Sequence, residues 1–259
     1  MKMRKIFQDE LVKKITGLLL LLVLSFCSAK PAFAYWAEYP PYSFKNGPYP
    51  HLVAKSLVNL WGGPMEYRSA DKKIYAKVEE PSFRVVKFLL KDGDLVLATN
   101  NTTADDPPYP YAVYQIDLNG DGLSDFVVFW NYRGNGLSGN DDRVELYLKK
   151  KDGGYQKIAF DTTVSGLENF VDLNHDGRYE VIISGWYNYN LHSYVTHSIY
   201  EFNGTKLVNA DAKFQGFPKF IWFTKKPNDK QTTHLTADEK AVQVRLQDKA
   251  IEYGNIGVK

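Results

Sequence analysis

Two kinds of apolar pattern recur along the chain. In Arg143-Val144-Glu145-Leu146-Tyr147-Leu148 and Ser198-Ile199-Tyr200-Glu201-Phe202, apolar and polar side chains alternate, the period of a half-buried strand. Phe126-Val127-Val128-Phe129-Trp130 and Val181-Ile182-Ile183-Ser184-Gly185-Trp186 are short, nearly continuous apolar runs rich in β-branched and aromatic residues, as buried strands are. Glycine turns punctuate these runs: Asp92-Gly93 between Arg84–Leu90 and Leu95-Val96-Leu97, Asp152-Gly153 after Leu148, and Asn203-Gly204 after Phe202. Asp-Gly and Asn-Gly supply the positive φ angles that tight hairpins require. The predicted fold is all-β and antiparallel, built from hairpin repeats. Its unit of strand, glycine turn, strand, loop, acidic loop and strand recurs about two and a half times between residues 83 and 210.

Outside that block the pattern weakens. His51 to Trp61, bounded by Pro50 and by Gly62-Gly63-Pro64, reads as one short helix; the alternative is an irregular segment packing Leu52, Leu57, Leu60 and Trp61 on the sheet. Phe217 to Phe223 reads as a strand. Ala237 to Gln247 fits helix or strand, and the alternation through Ala241-Val242-Gln243-Val244-Arg245-Leu246 favours strand.

The acidic loops are the strongest chemical signal. Asp117-Leu118-Asn119-Gly120-Asp121-Gly122-Leu123-Ser124-Asp125 returns 55 residues later as Asp172-Leu173-Asn174-His175-Asp176-Gly177-Arg178-Tyr179-Glu180, each copy leading into one of the apolar runs. Asp, Asn and Asp at positions one, three and five of a tight loop converge on one centre, and glycine at position six permits the turn. A backbone carbonyl at position seven (Leu123, Arg178) and a carboxylate at position nine (Asp125, Glu180) extend this all-oxygen set, which suits calcium better than the smaller, more hydrated magnesium. Asx-turns that cap their own backbone without metal are the alternative. Two copies in equivalent contexts favour calcium, since three converging carboxylates repel one another without a cation. The loop is not an EF-hand: position twelve is Val128 or Ile183, inside a strand, where that motif has a glutamate and then a helix. His175 and Arg178 read as outward-facing variable positions.

At these residues the chain resembles the calcium-binding segments of FG-GAP/VCBS-type repeats, the blades of integrin-alpha-like β-propellers. The resemblance covers Asp117–Val128 and Asp172–Ile183 and at most about 130 residues around them; Phe-Gly and Gly-Ala-Pro segments are absent. It implies calcium on Asp117, Asn119, Asp121 and Asp125, and on Asp172, Asn174, Asp176 and Glu180. It also implies a binding or structural role outside the cytoplasm. Both a propeller of roughly four blades and an open, divergent β-repeat domain fit residues 35–259 as one β-rich domain.

The N-terminus supports the same compartment. A cationic segment over residues 1–14 precedes an apolar run, Ile15 to Cys27, shorter than the ~20 residues a span needs, and then Ala32-Phe33-Ala34. This reads as a signal peptide over residues 1–34, cleaved after Ala34, with an uncleaved anchor as the alternative. The expected location is periplasmic, extracellular or cell-surface, with no transmembrane span after cleavage. The net charge of +2 belongs to this leader: the rest of the chain carries 26 basic and 28 acidic residues, which argues against a nucleic-acid partner. Cys27 is the only cysteine, so the mature chain has no disulfide and must stabilise itself by core burial, to which bound metal can add.

Other signals are weaker. Gly134-Asn135-Gly136-Leu137-Ser138-Gly139 matches a dinucleotide-binding pattern but leads into a strand, and without a helix N-terminus it reads as a loop. His192 and His197 read as surface or packing residues; no His-Glu-x-x-His, nucleophile-elbow or Walker pattern occurs, while a glycosidase-type carboxylate pair, whose sequence spacing is arbitrary, stays open. Trp130, Tyr132, Trp186, Tyr187 and Tyr189 are candidates for a sugar-stacking face, although the same residue types build β-cores. The expected function is an exported, non-catalytic, calcium-binding module that engages a protein or cell-surface ligand. A carbohydrate-binding module is the second reading, and an exported hydrolase with an unrecognised site the third.

Overall fold

The computed structural model describes residues 50, 52–60, 62–82, 85–101, 109–131, 142–163, 166–189, 192–222 and 235–257. The leader, Tyr132 and the glycine-rich loop at Gly134–Gly139 lie outside the described residues. Among the described residues, fifteen strands form three antiparallel sheets, each built on a four-stranded meander. The first sheet takes β2 (Glu66–Arg68), β3 (Ile74–Ser82), β4 (Val85–Asp92) and β5 (Leu95–Asn101) in order. The middle sheet takes β6 (Tyr109–Ile116), β7 (Asp125–Asn131), β8 (Asp142–Lys149) and β9 (Tyr155–Thr162). It is flanked by β1 (Lys55–Asn59) on β6 and β15 (Glu252–Ile256) on β9. The third sheet takes β10 (Phe170–Val171), β11 (Glu180–Tyr189), β12 (His192–Asn203) and β13 (Lys206–Asn209), with β14 (Lys219–Trp222) also on β12. Among the described residues no sheet closes into a barrel, so the repeats form an open all-β arrangement.

The middle sheet is buried on both faces, which explains the continuous apolar run of β7. Val127 and Phe129, with Val144, Leu146 and Leu148 of β8, pack toward Phe170, Val181 and Ile183 of the third sheet. Phe126, Val128 and Trp130 point the other way, onto Ala76, Val78, Phe88 and Leu90 of the first sheet. Full burial stabilises by roughly 1.5–3 kcal/mol per large apolar side chain, so β7 anchors two cores at once. Lys149 and Tyr155 reach across from the middle sheet to Asp92 Oδ2, at 2.7 and 2.6 Å, pinning the β4–β5 hairpin. The turns Asp92-Gly93, Asp152-Gly153 and Asn203-Gly204 all close hairpins, with glycine φ of 59°, 89° and 60°.

Three expectations are corrected. His51–Trp61 holds no helix over its described residues: Lys55–Asn59 is strand β1, because pairing with β6 buries Leu57 and Val58 and supplies backbone partners. Ala241–Leu246 is not a strand but part of helix α1 (Ala237–Ala250). Thr236 caps that helix in a reciprocal box with Glu239, a local device stronger than the chance alternation that follows it. Trp130 is 7% exposed and meets Phe88 edge-on at 5.5 Å, so its ring belongs to the core between the first two sheets and not to a ligand face.

Candidate functional site

Each acidic loop connects the first and second strands of a meander, β6 to β7 and β10 to β11. Their backbones follow one path. Position four is left-handed in both, Gly120 at φ 72° and His175 at φ 60°, and position six likewise, Gly122 at 81° and Gly177 at 83°. Histidine is among the few residues that enter this region with some ease, so a non-glycine at position four is tolerated.

The hydrogen bonds repeat too. Asp117 Oδ2 accepts from the Gly122 amide at 2.8 Å, and Asp172 Oδ2 from the Gly177 amide at 3.0 Å. The position-one Oδ1 accepts from the position-five amide at 3.1 Å in each loop. The position-five carboxylate accepts from the position-seven amide, Leu123 or Arg178, at 2.8 Å. The position-nine carboxylate closes the loop by accepting from position two: Leu118 N–H to Asp125 Oδ2 at 2.9 Å, Leu173 N–H to Glu180 Oε2 at 2.7 Å.

Electrostatics follow from this curl. Asp125 is fully buried and Glu180 nearly so. Burial, with the charges of Asp121 and Asp117 adding to it, pushes the Asp125 carboxyl up to about 7. Burial, with Asp176 and Asp172 adding, does the same for Glu180. Each loop therefore holds a carboxylate that resists ionising beside two others, a deficit that a proton or a cation can relieve. Among the described residues no three His, Cys, Asp or Glu side chains already form a cage that could hold a metal ion. The loop acids are instead engaged with backbone amides, the arrangement that the Asx-turn reading describes.

The two loops, far apart in sequence, face one another. Asn119 of the first donates to the Gly204 carbonyl of the β12–β13 hairpin at 3.3 Å, and a Cβ at Gly120 would stand 3.8 Å from Arg178 Cγ. Between them lies a cavity of about 390 Å³ lined by Asn119, Asn174, Asp176, Arg178 and Glu180 of the loops. Tyr179, Phe202 and Phe214 form its apolar side, and the ion-paired Lys213 and Glu201 its edge. Arg178, read from sequence as an outward-facing position, thus lines this cavity. Neither the cavity nor the contribution of Phe202, Phe214 and Lys213 is signalled in the sequence, because these residues come from β12 and the short turn after β13.

The remaining candidates do not join this site. Trp186, Tyr187 and Tyr189 lie along β11, where Tyr187 and Tyr189 stack at 6.0 Å beside Tyr194. Tyr132 lies outside the described residues. His197 is fully buried, with Nδ1 2.8 Å from Ser184 Oγ, and burial pulls it down to about 3. Glu145, away from the loops, is engaged by Tyr147, Lys157 and Arg143. No described helix is long and apolar enough to cross a membrane. Compared with protein-family models, curated proteins and solved structures, the chain matches none.

Proposed function

We propose that the protein is an exported, non-catalytic calcium-binding β-repeat module of the FG-GAP/VCBS type, serving interaction with a protein or surface. The observation that carries this reading is the pair of loops with one hydrogen-bond pattern, each closing on a buried carboxylate held up to about 7 among its acidic neighbours. The donors are all hard oxygens, which fits calcium. Asp117, Asn119, Asp121 and Asp125, with the Leu123 carbonyl, would hold one ion. Asp172, Asn174, Asp176 and Glu180, with the Arg178 carbonyl, would hold the other. Accepting an amide proton leaves each carboxylate oxygen a further lone pair, so the existing hydrogen bonds orient the donors without using them up. A bound cation supplies the neutralising charge that lets Asp125 and Glu180 ionise at neutral pH.

Without disulfides, such a domain gains stability from each ion, roughly 2.7 kcal/mol when calcium is a hundredfold above its dissociation constant. The test is thermal unfolding with calcium, with chelator, and with calcium restored. The transition should rise, fall and rise again in the wild type and stay still in an Asp117→Asn/Asp172→Asn double variant. A wild-type transition indifferent to millimolar calcium would sink the reading.

A further inference from the structure

We propose that the cavity between the two loops takes an acidic saccharide residue, a uronic acid by chemical class, and takes it while the second loop holds its cation. The inference rests on the calcium reading and extends it to a ligand. At about 390 Å³ the cavity lies toward the lower end of the ~300–1,000 Å³ typical of small-molecule sites, the scale of one or two sugar rings.

Its walls divide by chemistry. Tyr179, Phe202 and Phe214 are half-buried aromatic rings, suited to the C–H face of a pyranose. Asn119 and Asn174 form the polar wall, their Nδ2 groups held by Asp121 and the Gly204 carbonyl and by Asp176 and Glu180. The Arg178 guanidinium and the Tyr179 hydroxyl have no protein partner among the described residues, and a planar, always-charged fork matches a carboxylate.

The requirement for the cation comes from charge. Lys213 and Glu201 neutralise one another at the edge, leaving Arg178 against Asp176 and Glu180. An anion entering the cation-free cavity meets more negative than positive charge. Asn174, Asp176 and Glu180 are both cavity lining and candidate ion donors, so a divalent ion there offsets most of the negative charge that the ligand meets. Linkage then requires the ligand to strengthen calcium binding by the same factor.

Isothermal titration of the full chain with galacturonate and glucuronate oligomers, in calcium and in EDTA, tests this, with galactose and glucose oligomers and an acidic tetrapeptide as comparisons. Uronates should bind in calcium and weaken roughly tenfold or more in EDTA. Phe214→Ala should keep the calcium-induced thermal shift and lose roughly tenfold in uronate affinity, while Arg178→Met should lose the preference for acidic over neutral oligomers. A calcium shift without uronate binding, equal binding of neutral oligomers, unchanged binding in EDTA, or binding of the tetrapeptide instead would each overturn the inference while leaving the calcium reading intact. Absence of the calcium shift would overturn both.

Discussion

The two acidic loops share sequence pattern and backbone path but are wired differently into the molecule. In the first, Asp125 Oδ1 accepts from the Lys149 amide of β8 at 2.8 Å while Oδ2 takes Leu118. Asn119 extends to the Gly204 carbonyl in the next meander. In the second, Glu180 is one carbon longer and turns Oε1 back onto Asn174 Nδ2 at 3.1 Å. The position-nine and position-three side chains of the first loop therefore join neighbouring elements, whereas those of the second bond to one another. The short acid at position nine reaches outside its loop because it sits at the start of β7, beside the end of β8; the longer acid satisfies itself locally. An equal sequence pattern does not make equal structural roles.

The largest effect should separate the two position-nine acids. Asp125→Ala strips one buried and one half-buried backbone amide of their acceptor and should cost roughly 2–4 kcal/mol in urea unfolding, against roughly 1–2 kcal/mol for Glu180→Ala, which strips one half-buried amide. Equal losses would break the comparison.

A pH series sharpens it next. Both folded carboxyls are raised to about 7 from unfolded values near 4, so the folded state binds their protons more tightly. Their contribution is full below about pH 4 and is lost as pH rises through about 7. His197, held down to about 3, opposes this: its neutral form favours folding, and that advantage is lost as pH falls from 6.5 toward 3. The informative quantity is therefore the stability of Asp125→Asn minus that of the wild type in chelator. It should rise between pH 4 and pH 7, and saturating calcium should flatten that rise. A flat difference in chelator would show that Asp125 ionises in the fold as freely as in the unfolded chain.

Smaller still is the contrast at position three. Asn119→Ala removes the bond to the third meander and should cost about 1 kcal/mol, with faster amide exchange at the β12–β13 hairpin. Asn174→Ala should leave that hairpin unchanged. The smallest effect belongs to position four: His175→Gly relieves a left-handed non-glycine and should change stability by less than about 1 kcal/mol in chemical denaturation.

The hairpin turns and acidic loops were legible because their causes are local. A positive φ asks for Gly93, Gly153 or Gly204, and an oxygen-bearing side chain at alternate loop positions folds onto its own amides. The cap on helix α1 was equally local. Thr236-Ala237-Asp238-Glu239 spells a capping box, which outweighs the alternating run behind it. Strand β1 was different: nothing near Leu57 and Val58 says that β6, more than fifty residues on, offers them an edge.

Local sterics and side-chain period were enough to specify strands, turns and the two oxygen-rich loops, because each depends on residues within a turn or two of one another. Whether Trp130 faces a ligand or a core, which sheet lies on each side of β7, and that the loops meet across one cavity were decided by how the sheets stack. That stacking reflects apolar area removed from water by residues distant in sequence, and no short window of the chain contains it.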